Sequence, residues 1–126
     1  MPKKKSPNTL RLRNSTAEFL TFAYQTGGDG VEVRVQDGMI WLSQKHIGQL
    51  FETTPENVLM HLKNIFAEEE LAEESVAKIF LATAADGKNY RIKHYNLDAI
   101  IAVGYRVNSK RATAFRQWAT SVLRDY

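Results

Sequence analysis

Two Asp-Gly pairs decide most of what this chain can fold into. Asp37-Gly38 separates Val31-Glu32-Val33-Arg34-Val35 from Met39-Ile40-Trp41-Leu42, and Asp86-Gly87 separates residues 76–83 from residues 90–95. Glycine tolerates the positive φ that tight hairpin turns require, so each pair predicts two antiparallel strands folded back on one another. Val31, Val33 and Val35 alternate with charged residues, the period of a half-buried strand. Residues 18–25, rich in aromatic and apolar side chains, read as a further strand, and Gly27-Gly28-Asp29-Gly30 as the loop after it. The front of the chain is therefore expected to be a small antiparallel sheet.

Between the two turns the pattern becomes helical. Ser43 is placed to accept a backbone N–H one turn later as an N-cap, and Ile47, Leu50 and Phe51 follow at helical spacing. Thr54 is a second cap, with Pro55 at the first helical position, where its missing N–H costs nothing. Val58, Leu62, Ile65 and Phe66 form the next apolar stripe. Two short helices joined by three or four residues make a helix-turn-helix candidate, and the small Gly48 lets them cross closely. A hairpin directly after such a pair is the arrangement of a winged variant. Residues 67–74, with five glutamates, read as a solvated turn or linker. Asn96 or Asp98 is expected to cap a helix over residues 97–107, and Ser109 another over residues 110–124. The last helix carries Ala114, Phe115, Trp118, Val122 and Leu123 on its apolar face. On this stripe Trp118 reads as core rather than as a platform for stacking bases. The expected fold is α+β: a small antiparallel sheet, a winged helix-turn-helix core and two C-terminal helices.

A chain of 126 residues predicts one domain able to bury a core without staples. Residues 1–14 read as a flexible basic arm and residues 15–126 as a single winged helix-turn-helix-like domain. Cysteine is absent, which excludes disulfides and thiolate metal sites and fits a cytoplasmic location. No apolar run approaches the roughly 18 residues of a membrane span.

Charge is distributed unevenly. Residues 1–51 hold seven Lys/Arg against four Asp/Glu, residues 52–86 two against eight, and residues 87–126 eight against two. An acidic middle lies between basic ends, so the ends suit a polyanion, while the acidic middle equally suits a solvated surface. On the second helix of the pair, Thr54, Asn57, Met60, Lys63 and Asn64 are the candidates to approach a DNA groove. An amide such as Asn57 can both donate to and accept from adenine. That helix has no arginine, and residues 43–66 carry two lysines against two glutamates, so the pair draws little phosphate attraction of its own. The missing charge is expected from Lys88, Arg91 and Lys93 on the hairpin and from Arg106, Lys110 and Arg111 beside Ser109. There the free N–H groups of a helix start also favour an anion. The competing readings are that the helix pair serves packing or dimerisation, and that Arg106 pairs with a nearby carboxylate.

Signals for catalysis are weak. His46, His61 and His94 lack metal-ligand spacing, residues 68–70 are a charge run rather than an acid/base pair, and no glycine-rich phosphate loop follows a strand. No catalytic residue, metal or cofactor is expected. The expected partner is double-stranded DNA, read by a monomer or homodimer; the alternative is a regulatory protein bound through the helices.

Several blocks carry a family likeness: Val31-Glu32-Val33-Arg34-Val35, Trp41-Leu42-Ser43-Gln44, His61-Leu62-Lys63-Asn64-Ile65-Phe66, Asp86-Gly87-Lys88, Tyr95-Asn96-Leu97-Asp98, Val103-Gly104-Tyr105-Arg106-Val107-Asn108-Ser109-Lys110-Arg111 and Phe115-Arg116-Gln117-Trp118-Ala119-Thr120. On these the chain resembles the RhuM family, virulence-associated proteins of bacterial genomic islands and prophage-like regions. The resemblance implies a DNA-binding domain without naming its biological role, a further region beyond this C-terminus, and no catalytic residue to carry over. The C-terminal helices resemble, more loosely, those of phage antirepressor N-terminal domains.

Overall fold

The computed structural model describes residues 19, 22, 23 and 31–124. The elements run β1 (Arg34–Gln36), β2 (Met39–Ser43), α1 (Gln44–Phe51), α2 (Pro55–Ala67), α3 (Glu73–Val76), β3 (Ala77–Thr83), β4 (Asn89–Asn96), α4 (Leu97–Gly104) and α5 (Lys110–Arg124). The α+β class expected from the sequence is the observed one. The basic arm assigned to residues 1–14 and the loop assigned to residues 27–30 lie outside the described residues.

Both hairpins form. At the first, Asp37 (φ 55°) and Gly38 (φ 75°) are the two central residues, with positive φ at both as the tightest two-residue connection demands. At the second, Gly87 (φ 82°) closes a longer turn by donating its N–H to Ala84 O at 2.9 Å. The two hairpins belong to one antiparallel sheet of order β1-β2-β4-β3, because β2 pairs with β4 in the register Trp41↔Asn96, Leu42↔Tyr95, Ser43↔His94. The chain thus leaves β2, builds the helices α1 to α3, runs out along the edge strand β3 and returns in β4 to pair beside β2.

The caps are where the sequence placed them. Ser43 Oγ accepts the His46 N–H at 3.2 Å, and Thr54 Oγ1 the Asn57 N–H at 3.1 Å, with Pro55 at the start of α2. Asn96 Oδ1 accepts the Ala99 N–H at 3.2 Å, and Ser109 Oγ the Ala112 N–H at 3.0 Å. Gly48 is needed at the turn between α1 and α2 rather than at a crossing of the helix bodies. A Cβ there would lie 2.8 Å from Thr53 O, a main-chain atom with no freedom to yield.

Three expectations need correction. Within the stretch read as a strand over residues 18–25, the described residues Phe19, Phe22 and Ala23 are helical and buried. Their spacing of three and four is that of a helix face, and it outweighs the strand preference of aromatic side chains. The strand read from Val31 begins only at Arg34, and the helix over residues 97–107 ends at Gly104.

One core joins the sheet to the helices. Phe19, Leu42, Ile47, Leu50, Phe51, Val58, Ile65, Ile100, Val103 and Phe115 are fully shielded from solvent. Phe51 and Phe115 meet edge to face at 5.0 Å, and Trp118 stacks on Phe22 at 5.5 Å, which places that tryptophan in the core. Gly104 lies under this aromatic group: an added Cβ would sit 2.5 Å from the Phe115 ring and 2.9 Å from that of Phe51. Gly104→Ala gains helix propensity of about 1 kcal/mol but overpacks a rigid site at a cost of about 1–3 kcal/mol. The expected outcome is a net loss of stability on the order of 1 kcal/mol, read as a lower denaturant midpoint with an unchanged m-value.

Candidate nucleic-acid interface

The helix α2 turns Val58, Leu62 and Ile65 into the core and leaves Glu56, Met60, Lys63, Asn64 and Ala67 on its exposed face. Of the residues expected to approach a groove, Met60, Lys63 and Asn64 share this face. Asn57 does not point freely outward: its Nδ2 donates to Thr53 Oγ1 at 2.8 Å, so the amide is part of the turn between α1 and α2. The Thr54 hydroxyl is occupied as the N-cap.

The basic residues divide into two groups. Lys88 and Arg91 are exposed on the β3–β4 hairpin, and Lys110 is exposed at the start of α5; none has an ion-pair partner among the described residues. The others are engaged. Lys93 Nζ lies 2.7 Å from Glu73 Oε2. The Arg106 guanidinium donates to Glu68 at 2.7 Å and to Glu70 at 2.9 Å, and these two carboxylates push its pKa further up. Arg111 reaches both the Gln49 carbonyl at 3.2 Å and Glu52 at 3.0 Å. Arg116 donates to the carbonyls of Gly104 (2.9 Å) and Val107 (3.0 Å), closing the end of α4. Ser109 caps α5 and donates its hydroxyl to Phe51 O at 2.6 Å, so it is committed to joining α5 to α1. The alternative weighed for Arg106, pairing with a carboxylate, is the arrangement observed. The acidic stretch after α2 is correspondingly not a bare solvated linker, since Glu68, Glu70 and Glu73 each hold a cation.

A second grouping was not legible in the sequence. On the sheet face opposite the core, Trp41 and Phe80 meet edge to face at 5.6 Å and Phe80 meets His94 at 5.0 Å. The Arg34 guanidinium lies 4.6 Å from the Phe80 ring centre, and Lys78 Nζ 5.4 Å from it. Such cations over aromatic faces are attracted by the ring quadrupole. The signal that would have found the group is the cross-strand register, which places Arg34 opposite Trp41 and Lys78 opposite His94. Beside it, the Ser43 hydroxyl lies 2.8 Å from His46 Nδ1, and Glu32 stands 3.9 Å from His46 Nε2. Ser43 is nearly buried and already serves as the α1 cap, so this grouping organises a helix start. Among the described residues no group of three His, Asp or Glu could hold a metal ion, and no helix is long and apolar enough to cross a membrane.

Residues 75–126 match the model of the Virulence protein RhuM family. The match covers β3, β4, α4 and α5 and bears out the resemblance carried by the blocks at residues 95–98, 103–111 and 115–120. The RhuM-like segment therefore contains the hairpin, the engaged cations Arg106, Arg111 and Arg116, and the glycine under Phe115; the helix pair α1–α2 precedes it. No curated protein and no solved structure matches the chain significantly.

Burial lowers the pKa of His46, His94 and His61 below the ordinary 6.5; at His61 the nearby Arg106 adds to the effect. The unfolded chain then takes up protons before the folded one as pH falls. Stabilisation that is complete above about 6.5 is lost as pH drops through that value toward the folded pKa values. Unfolding free energy is expected to decline between pH 7 and 5, and His94→Gln to reduce that slope. Urea titrations across the interval measure both.

Proposed function

We propose that the chain is a DNA-binding module in which α1 and α2 form a helix-turn-helix, the β3–β4 hairpin is its wing, and the module binds rather than catalyses. The observation that carries this reading is the coincidence of two features. A capped helix presents Met60, Lys63 and Asn64 along one exposed face, and the hairpin that follows offers Lys88 and Arg91, which have no ion-pair partner among the described residues. The side chains on α2 can reach base edges, as recognition helices do from the major groove, while the hairpin cations and Lys110 approach phosphate. Arg106 and Arg111 have smaller parts in this reading than their charge suggests. Each would have to leave carboxylates already at hydrogen-bond distance, 2.7 Å and 3.0 Å. Lys93 is limited in the same way by Glu73.

The fold also supports the alternative of a regulatory protein partner, because Met60 is half exposed on the same helix face. The two readings differ in salt response. Each phosphate contact releases counterions, so log K for duplex DNA should fall linearly with log salt. Replacing Lys88 and Arg91 with alanine should reduce the steepness of that slope by about 2, close to one per lost phosphate contact. Arg106→Ala should leave it nearly unchanged. Fluorescence anisotropy with random-sequence duplex from 50 to 200 mM salt (the range over which such contacts are usually resolved) reads the slope. Absence of duplex binding at the low-salt end would overturn the DNA reading and leave the protein partner.

A further inference from the structure

Among the described residues, the strand β3 forms one edge of the sheet and pairs with β4 alone. The Ala84 N–H donates to Lys88 O at 2.9 Å. Ladder alternation from that bond turns the main-chain groups of Lys78, Phe80 and Ala82 toward β4 and those of Ala77, Ile79, Leu81 and Thr83 outward. The residues with outward N–H and C=O groups include two exposed apolar side chains, Ile79 at 46% and Leu81 at 63% of full exposure. Natural sheets commonly blunt such edges with proline, bulges or repeated charge. The seven residues of β3 include one charge, Lys78, and no proline.

We propose that β3 is a self-pairing edge, at which two copies of this chain join antiparallel about a two-fold axis through Phe80. The strand is complementary to its own reverse. With Phe80 opposite Phe80 of the second copy, Ile79 meets Leu81 and Ala77 meets Thr83, the pairs whose main-chain groups face outward. Lys78 meets Ala82, so no like charges are opposed. The same axis carries each hairpin tip toward the start of the second copy's α3. A shallow hollow of about 300 Å³ lined by Glu73, Glu74, Ala77, Lys78, Ile79 and Lys93 lies at that end of the strand. The contact is isologous, as a two-fold requires, and continues the four-stranded sheet across both copies. A seven-residue edge is small beside the roughly 800 Å² per partner of standard stable complexes, so the dimer is reversible and depends on concentration.

The chain has no cysteine, which makes cross-linking decisive. In the Lys78→Cys/Ala82→Cys double variant the new thiols face each other across the axis. Their non-hydrogen-bonded pairs have Cα atoms about 4.5 Å apart, within disulfide reach. Within one copy the two positions are about 13 Å apart on an extended strand and cannot bridge. Mild oxidation of the full chain at roughly 100 μM, a concentration that populates weak complexes, is expected to give a disulfide-linked dimer. The out-of-register pair Lys78→Cys/Thr83→Cys should stay largely monomeric under the same treatment. Failure of the first variant to cross-link, or equal cross-linking in both, overturns the proposal. Sedimentation of the chain without cysteines provides a second reading that needs no oxidation. Leu81→Lys, at an exposed position that folding does not use, should convert a concentration-dependent dimer to monomer with an unchanged circular-dichroism spectrum. A monomer before the substitution, or a dimer that survives it, overturns the proposal equally.

Discussion

The end of α1 is the point on which the rest of the structure depends. The Phe51 carbonyl, left without a partner by the end of its helix, accepts the Ser109 hydroxyl at 2.6 Å, and that same oxygen caps α5 through the Ala112 N–H. The Phe51 ring packs edge to face on Phe115, one turn into α5, over the surface that Gly104 leaves open at the end of α4. One polar link and one aromatic contact therefore fix the two C-terminal helices against the helix pair. The first satisfies a carbonyl that would otherwise be orphaned, and the second buries a large apolar ring that would otherwise face water. The short left-handed step at Glu52 and the bond from the Arg111 guanidinium to Gln49 O complete the closure of the same helix end.

Around this joint the uneven charge of the sequence becomes internal complementarity. The acidic stretch following α2 and the basic C-terminal part are far apart along the chain, yet Arg106 bridges Glu68 and Glu70, Lys93 meets Glu73, and Arg111 meets Glu52. These pairs are partly exposed, so each contributes modestly to stability and is screened by salt. Their larger effect is on what remains available. A basic cluster that sums favourably in sequence presents fewer unpaired cations once folded, and among the described residues those outside any ion pair include Lys45 on α1, Lys63 on α2, Lys88 and Arg91 on the hairpin, and Lys110.

The local parts of this fold were legible and the long-range parts were not. Ser43, Thr54, Asn96 and Ser109 act as caps because the hydrogen bond concerned spans three residues, a distance sequence resolves. The turns at Gly38 and Gly87 were legible for the same reason. The aromatic composition around Phe19, Phe22 and Ala23 favours a strand, whereas their burial follows the helical interval. Nothing local announces that β2 pairs with β4, and therefore that Trp41, Phe80 and His94 share a face. The same holds for Asn57: its amide reads as a free base-contacting group in sequence, and only the turn geometry shows it donating to Thr53. The candidate site was thus legible as a set of residue types on α2 and the hairpin, while the division into engaged and available side chains required the fold.

That division also orients any approach of a nucleic acid. The end of α2 runs into Glu68, Glu69 and Glu70, whose charge Arg106 only partly offsets. Drawing Arg106 toward a phosphate would uncover two carboxylates beside the same polyanion, so the exchange loses at one position what it gains at another. The start of α2 carries its own acid, Glu56, but the partial positive charge of the helix N-terminus stands beside it. On the proposed DNA-binding reading, a duplex would be favoured along the exposed row of Met60, Lys63 and Asn64 and toward the Lys88–Arg91 hairpin, and disfavoured at the glutamate-rich end. On that reading the neutral balance of the helix pair would limit non-specific attraction and leave more of the discrimination to the side chains on that row.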